Sequence, residues 1–522
     1  MIEVRDVRLP LDGNLKTACA KKLGVRPSDV IEAVLLRRSV DARKRSDVHF
    51  LVSAAVSLRN GEERFSPYVP RSYPLPEPLE RRPKYRPVVC GAGPAGLFAA
   101  LTLARAGAEP LLIERGGSVE ERREDMERFL RTRVLDTESN VQFGEGGAGA
   151  FSDGKLTTGT HDIRGLRVLR DLAAAGAPEE ILWQAKPHIG TDRLPATVQG
   201  LRRMILENGG EVRFRTRLTD LRVVNGTLTG VTLRSGDREE FFPTDTLILA
   251  AGHSARDLFE LLHAAGAEMI QKPFSMGVRC EHPQELIDAA QYGSFAGHPA
   301  LGAADYKLST RLGNGRGVYT FCMCPGGTVV AAASEDGGLA VNGMSTFARD
   351  GRNANAAILC EVRPSDFGSS HPLAGVELQR TWERAAFLAG GGDWRAPAQL
   401  MGDFLAGRAS SGPGSVMPTY PLGVRFRTLE GCLPGFVLES LREAVPVFAR
   451  KLKGYDLPDV VLTGVESRSS SPVRICRDES GQSNIRGLFP CGEGAGYAGG
   501  ILSAGADGIR QAEKVLARFR DL

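Results

Sequence analysis

The sequence predicts an α/β protein: a strand–turn–helix core split in two by a long α+β insertion and preceded by a small α+β domain. Three observations predict it. Residues 86–115 read as an apolar strand, a glycine turn, a helix and a second strand. Residues 246–252 and 487–493 each run an apolar strand into glycine, and residues 254–464 between them break that rhythm. A chain of 522 residues, 42% hydrophobic and 25% charged, is long enough for two or three such domains.

Composition narrows the function classes. A net charge of +4 is too small at this length to argue for nucleic-acid binding by the whole chain. No run approaches the roughly 18–20 uncharged apolar residues of a membrane span, and the start MIEVRDVRLP lacks the apolar centre of a signal peptide. A cytoplasmic location is therefore expected. Nine cysteines, an odd number with no repeating framework, fit reduced thiols. With no CxxC pair and eight scattered histidines, no metal site is expected.

Residues 1–82 are expected to be an accessory domain with a proline-rich linker. A strand over 2–9, a helix over 15–23 ended by Gly24, and strands over 30–39 and 48–58 follow from periodicity. Up to Arg86 the chain holds 18 lysines and arginines against 11 acidic residues, a net +7, which leaves the remainder at −3. The turn Arg43, Lys44, Arg45 is either a docking surface for RNA or an acidic protein, or a solvated basic turn. Pro67, Pro70, Pro74, Pro76, Pro78 and Pro83 mark the linker.

Residues 83–255 carry the central motif. Val88, Val89 and Cys90 run into Gly91, Gly93 and Gly96, with a helix over 97–105 closed by Gly107. The first glycine permits the turn, the second lets a pyrophosphate approach the backbone, and the third lets helix and strand pack, with the helix dipole facing the anion. A second strand at Leu111, Leu112 and Ile113 closes on Glu114, about 23 positions after Gly91, the offset at which a carboxylate accepts ribose hydroxyls. Gly144, Gly146, Gly149 and Gly494, Gly496, Gly499 match the bare glycine spacing too. Only the first match has the flanking elements, so it reads as a Rossmann-like dinucleotide site rather than a glycine turn in an ordinary βαβ unit.

Next come a charged helix over 119–131 with Ser118 and Glu121 as a capping box, a glycine-rich loop over 141–156, and helices over 163–175 and 197–208. Three strands from residue 211, turning at Asn225-Gly226 and Gly236-Asp237, form a meander before the buried strand of TLILAAG. Residues 256–463 are expected to be an inserted substrate or cap domain. Residues 464–522 are expected to return to the first domain and end in a helix over 504–519.

GAGPAG with its distal glutamate, the meander before LILAAG, and GLFPCGEGAGYAGGI before a helix resemble the FAD-binding fold of the glutathione-reductase-like flavoproteins. KPFSMGVRCEHPQ, VYTFCMCPGG and GVESRSSSPVRICR further resemble the uncharacterised bacterial FAD-dependent dehydrogenases. The resemblance implies non-covalent FAD, with the pyrophosphate at Gly91, Ala92, Gly93, Pro94, Ala95 and Gly96 and the adenosine ribose on Glu114 beside Arg115. It implies adenine against the backbone near Leu218, the adenosine half beside Ala251 and Gly252, and the glycine loop at Gly146 and Gly147 against the cofactor. Gly492 and Glu493 stand where the family has a GD pair touching the ribityl or pyrophosphate region. Gly499, Gly500 and Ile501 are implied along the isoalloxazine, where helix amides stabilise negative charge on reduced flavin.

The partner of the flavin is read from the residues. No second strand–turn–helix fingerprint offers an NAD(P)H domain, although direct, transient reduction by NAD(P)H stays open. Cys322 and Cys324 are either a strained redox pair or soft-metal site, or buried apolar cysteines; on one strand face their Cα atoms would stand about 6.5–7 Å apart, the upper limit for a disulfide. Arg468 and Arg474, flanking Ser469, Ser470, Ser471 and Pro472, suit an anionic or carbonyl substrate, since arginine offers a planar donor fork; capping and domain-interface roles are the alternative. Asp153 and Lys155 in FSDGKL carry the same two readings. His253 is not expected to act as a base. The resulting expectation is an FAD-dependent dehydrogenase exchanging a hydride with a small organic, anionic substrate; the alternative is an FAD-containing binding or regulatory protein that docks through its basic N-terminal domain.

Overall fold

The computed structural model describes residues 1–521. At its centre lies a parallel sheet in the order Leu488–Pro490, Leu247–Leu249, Val88–Cys90, Leu111–Ile113, Glu211–Arg213. The first four of these strands are buried end to end, as a parallel sheet covered on both faces requires. Helices Pro94–Arg105, Arg164–Ala174, Leu194–Glu207 and Ile501–Arg520 share a core on one face. A separate core on the other face joins the antiparallel meander Arg217–Val224, Thr227–Ser235, Arg238–Phe242 to helix Arg256–Ala264.

Several local expectations shift for physical reasons. The helix after the first glycine turn begins at Pro94, since proline at the first position leaves no amide wanting a partner. The stretch read as one strand from residue 211 breaks at Arg215, whose φ of 50° lies in the left-handed region. Glu211–Arg213 thereby joins the parallel sheet and Arg217–Val224 opens the meander. The Ser118–Glu121 capping box is formed in both directions.

The insertion is a seven-stranded sheet in the order Ser309–Arg311, Gly317–Cys324, Asn353–Val362, Phe274–Pro283, Val461–Glu466, Ala396–Leu400, Val424–Phe426. Its last returning strand, Val461–Glu466, overlaps the segment assigned from sequence to the central domain. Helix Arg256–Ala264, assigned from sequence to the insertion, packs instead with Val88 and Leu249. Both differences arise because apolar periodicity says that a segment is buried, not which core receives it. Met269–Gln271 and Val473–Ile475 pair antiparallel where the chain leaves and re-enters the central domain.

The N-terminal sheet runs Ile2–Leu9, His49–Leu58, Val30–Asp41, with helix Leu15–Leu23 closed by Gly24 at φ 70°. It docks through Arg38, whose backbone pairs with Trp183 and Ala185 and whose guanidinium stacks on Phe50 and Trp183. The proline-rich segment is a strap rather than a free linker: Tyr73 donates to Glu513 at 2.6 Å and Leu79 N–H to Ala106 O at 2.9 Å. Among the described residues no helix is long and apolar enough to cross a membrane.

Candidate functional site

Helix Pro94–Arg105 starts at the glycine turn. Gly91 has φ 105°, and a methyl on Gly96 would sit 1.8 Å from Gly91 O, so strand and helix meet only through a bare Cα. The glycine loop lies against this turn: Gly146 N–H donates to Ala92 O at 2.8 Å, and a methyl on Gly147 would lie 3.1 Å from Gly93 Cα. A methyl on Gly149 would touch the side chains of both Ile501 (3.1 Å) and Pro94 (3.9 Å). The loop is therefore wedged between the starts of two helices. Neither helix start has a side-chain cap among the described residues, which leaves first-turn amides free for an anion.

Arg122 holds the loop in this shape. It is buried, and its guanidinium donates to Asn140 O and Val141 O (both 2.7 Å), Glu145 O (2.9 Å) and Gly147 O (2.8 Å). Burial pushes the group down to about 10. Sequence reading gave a charged helix over 119–131 and did not single out Arg122, yet it shares the apolar stripe of Val119, Met126 and Phe129, and that periodicity was the available signal.

The residues implied as cofactor contacts fall into two groups. Gly91, Ala92, Gly93, Pro94, Ala95, Gly96, Gly146, Gly147 and Ile501 surround the two helix starts, where positions on Gly499 and Gly500 face open space. Gly492 packs on Ala95, and Gly252 lies beside Gly494 and Ala251. Glu114 is already well occupied: Ala92 N–H donates to Oε2 at 2.8 Å, and Gly116 and Gly144 N–H to Oε1 at 3.0 and 2.9 Å. It braces the turn and has little capacity left for the ribose expected there. Arg115 is paired with Glu138 (2.9 Å) and Asp257 (2.8 Å) and stacked on Phe143, so it supports the adjoining wall. Leu218 is a core side chain on the edge strand of the meander.

The four catalytic candidates separate likewise. Arg468 is buried with each of its three side-chain nitrogens engaged: two bonds to Glu383 (2.9 and 2.8 Å), one to Ser254 (3.2 Å) and one to Ser334. Asp153 is buried under Arg349 and Ser345 of the insertion, and Lys155 with Arg349 holds its carboxyl below the usual range against the cost of burial. These two close the domain interface, the second of the two readings that the sequence left open for them. Arg474 has a single bond, to Gly496 O at 3.3 Å, and its buried Nε has no partner among the described residues. Lys155 is half-buried and reaches Asp153 only at 3.7 Å.

Arg474 and Lys155 belong to a larger charged cleft. Glu493 Oε2 accepts from Gly500 N–H at 3.4 Å, and Oε1 stands 3.7 Å from His253 Nε2. Burial raises Glu493 to about 7; burial and the nearby Arg468 lower His253 to about 3, so the imidazole is neutral at neutral pH. Lys272 donates to Ser470 at 2.7 Å, with burial and Arg474 lowering its ammonium. Lys272 and His253 were not expected from sequence: His253 reaches Glu493 through the parallel pairing of Leu247–Leu249 with Leu488–Pro490, and Lys272 follows Met269–Gln271, where the chain leaves the central domain.

The inserted sheet presents a polar face to this cleft. Gly277, Arg279 and Glu281 alternate along Phe274–Pro283 and pair with Leu359, Ala357 and Asn355 on one side and Glu466, Thr463 and Val461 on the other. The intervening Met276, Val278 and Cys280 enter the apolar core with Leu441 and Phe448 of helix Gly435–Lys451. Arg279 lies 2.6 Å from Glu466 and donates to Cys322 O at 2.8 Å and Asn342 at 2.6 Å.

These features define an α/β protein with a dinucleotide-type cleft roofed by an inserted sheet. Residues 273–469 match the family model described as FAD-dependent protein, C-terminal domain-like, and residues 1–57 match a domain of unknown function, DUF8436. An uncharacterized protein of Clostridium beijerinckii is 46% identical over 532 residues, covering 99% of both chains. The chain belongs to the same family as that protein, and its residues 273–469 carry the domain of the FAD-dependent family model. Remote likenesses in solved structures include the flavin-dependent brominase Bmp2 (12% identity, TM-score 0.40, 85% of this chain and 80% of that one). A variant of E. coli quinol fumarate reductase FrdA is comparable (12%, TM-score 0.36, 84% and 71%).

Proposed function

We propose that the protein is an FAD-dependent oxidoreductase that exchanges a hydride between non-covalently held flavin and a small anionic organic substrate. The observation that carries this reading is the Gly147–Gly149 turn wedged between two uncapped helix starts, at Gly93 and at Gly500. The residues fit the cofactor: bare glycines would leave room for the pyrophosphate, free amides would face it, and the C-terminal helix would direct its dipole toward the ring. The bound flavin would supply the two-electron chemistry. Lys272 and Arg474 would hold a substrate carboxylate or carbonyl, Arg474 through its unpartnered Nε. Glu493 and the neutral His253 would hold or pass a proton between Oε1 and Nε2. The seven-stranded sheet would exclude water, closed by the Asp153–Arg349 and Glu383–Arg468 pairs.

Anaerobic mixing of the purified protein with small carboxylates, keto acids and NAD(P)H, followed by absorbance near the flavin band, tests the reading. Bleaching by one substrate class, weakened about tenfold in half-saturation by Lys272→Met or Arg474→Gln, is the expected result. Oxidised flavin that stays unchanged with every compound would remove the enzymatic reading.

A further inference from the structure

Strand Gly317–Cys324 contains an irregularity that the oxidoreductase reading does not use. Phe321 pairs with Ala357 and Cys324 with Asn355, so three steps on this strand match two on its neighbour. The bulge contains Cys322, whose φ of 42° puts a non-glycine residue in the left-handed region. Such strain persists only where the surroundings enforce it, and it clusters at functional positions. Met323 enters the apolar core. Cys322 instead turns to the polar face, where Arg279, Lys155, Asp153 and Glu493 all lie within electrostatic reach. Cys324, fully buried on that face, donates to Cys322 O at 3.2 Å, which keeps its sulfur beside Cys322.

A second observation points to the same place. Asn355, paired across from Cys324, is wholly buried with neither Nδ2 nor Oδ1 partnered among the described residues, and Thr463 Oγ1 beside Arg279 is likewise unpartnered. A methyl on Gly327 would lie 3.0 Å from both Asn355 Nδ2 and Cys324 Cβ, so amide and thiol adjoin. Buried polar groups without partners are costly unless a ligand or a change of state satisfies them. The neighbouring Cys324 thiol, together with Arg279 and Lys155, favours the thiolate at Cys322 against the cost of burial, while that neighbour and burial keep Cys324 a thiol.

We propose that Cys322 and Cys324 are a redox-active dithiol that exchanges electrons with the flavin proposed above, on which reading it rests. In the oxidising direction the Cys322 thiolate and the Cys324 thiol lose two electrons and one proton as the S–S bond forms. Both electrons and the proton pass to oxidised flavin, giving the reduced anion. In the reverse direction the S–S bond breaks, one sulfur leaving as thiolate and the other taking the proton. The pair lets the protein store a second pair of electrons, separating the encounter with its reductant from the encounter with its oxidant.

Anaerobic dithionite titration of the yellow protein tests this by counting electrons per flavin. The wild type takes up about four electron equivalents, and Cys322→Ser and Cys324→Ser each about two, with unchanged flavin content. In parallel, differential alkylation after equilibration with oxidised glutathione finds both thiols protected in the wild type as one intramolecular disulfide; this needs no variant to fold. Uptake of about two equivalents by the wild type, or about four by both variants, overturns the dithiol, as does free alkylation of both thiols after oxidation. Yellow protein with two-electron uptake removes the dithiol alone, whereas protein that stays colourless with added FAD removes the cofactor as well.

Discussion

Glu383 is gripped from both sides by the two arginines that flank the insertion: Arg256 Nη2 and Arg468 Nη2 each stand 2.8 Å from one of its carboxylate oxygens. Arg256 follows the strand that leaves the central sheet, and Arg468 lies on the return. A single helix residue thus joins the exit, the return and the inserted domain.

The first prediction concerns this triad. Glu383→Gln leaves two buried guanidinium groups undercompensated and should cost about 3–5 kcal/mol in urea unfolding. Against the cost of burial, Arg256 and Arg468 hold its carboxyl far below the ordinary 4.5. Its folded-state value is depressed, so its stabilisation is present above pH 4.5 and is lost as pH falls further. The wild type should therefore lose stability with acid more steeply than the variant. Parallel pH slopes would show that Glu383 does not carry the effect.

A second prediction separates two glycines. Gly96→Ala puts a methyl 1.8 Å from Gly91 O and should prevent folding of the central domain. Gly147→Ala comes no closer than 3.1 Å, to Gly93 Cα, though at a φ of 61°, and should fold while binding FAD about tenfold more weakly. Soluble yield and flavin fluorescence titration distinguish them.

Arg122→Met should leave several buried carbonyls without donors, costing about 2–4 kcal/mol and loosening the loop that touches both helix starts. Flavin affinity should fall with stability. Hydrogen exchange is expected to quicken across residues 140–151 first, and protection there equal to wild type would count against this role.

The last prediction is a pH dependence at Glu493. Burial raises its carboxyl to about 7, so its folded state favours the proton: that stabilisation is full below 4.5 and is lost as pH rises through about 7. Glu493→Gln, a neutral mimic, should be the more stable protein above pH 7 and should flatten the slope between pH 5 and 8, measured by thermal unfolding with and without FAD. His253, Lys272 and Cys322 remain in the variant, so the difference between the two curves isolates Glu493.

By itself, the sequence determined the local chemistry: the glycine turn and its strands, the Ser118 cap, Gly24 at the end of the first helix, and a second glycine-rich return before the last helix. Those features depend on backbone geometry within a few residues, which composition and spacing encode directly. Tertiary structure decided which charges are spent and which are free. Arg468 and Asp153 carry the residue types of a substrate site but are consumed by Glu383, Arg349 and Ser345, residues tens to hundreds of positions away. His253 and Glu493 become neighbours because the strands that precede them, Leu247–Leu249 and Leu488–Pro490, pair side by side in the central sheet although far apart in the chain, and Lys272 joins them where the chain crosses to the insertion. A side chain's chemistry depends on its partners and its distance from water, and both are set by packing between segments that the linear order keeps apart.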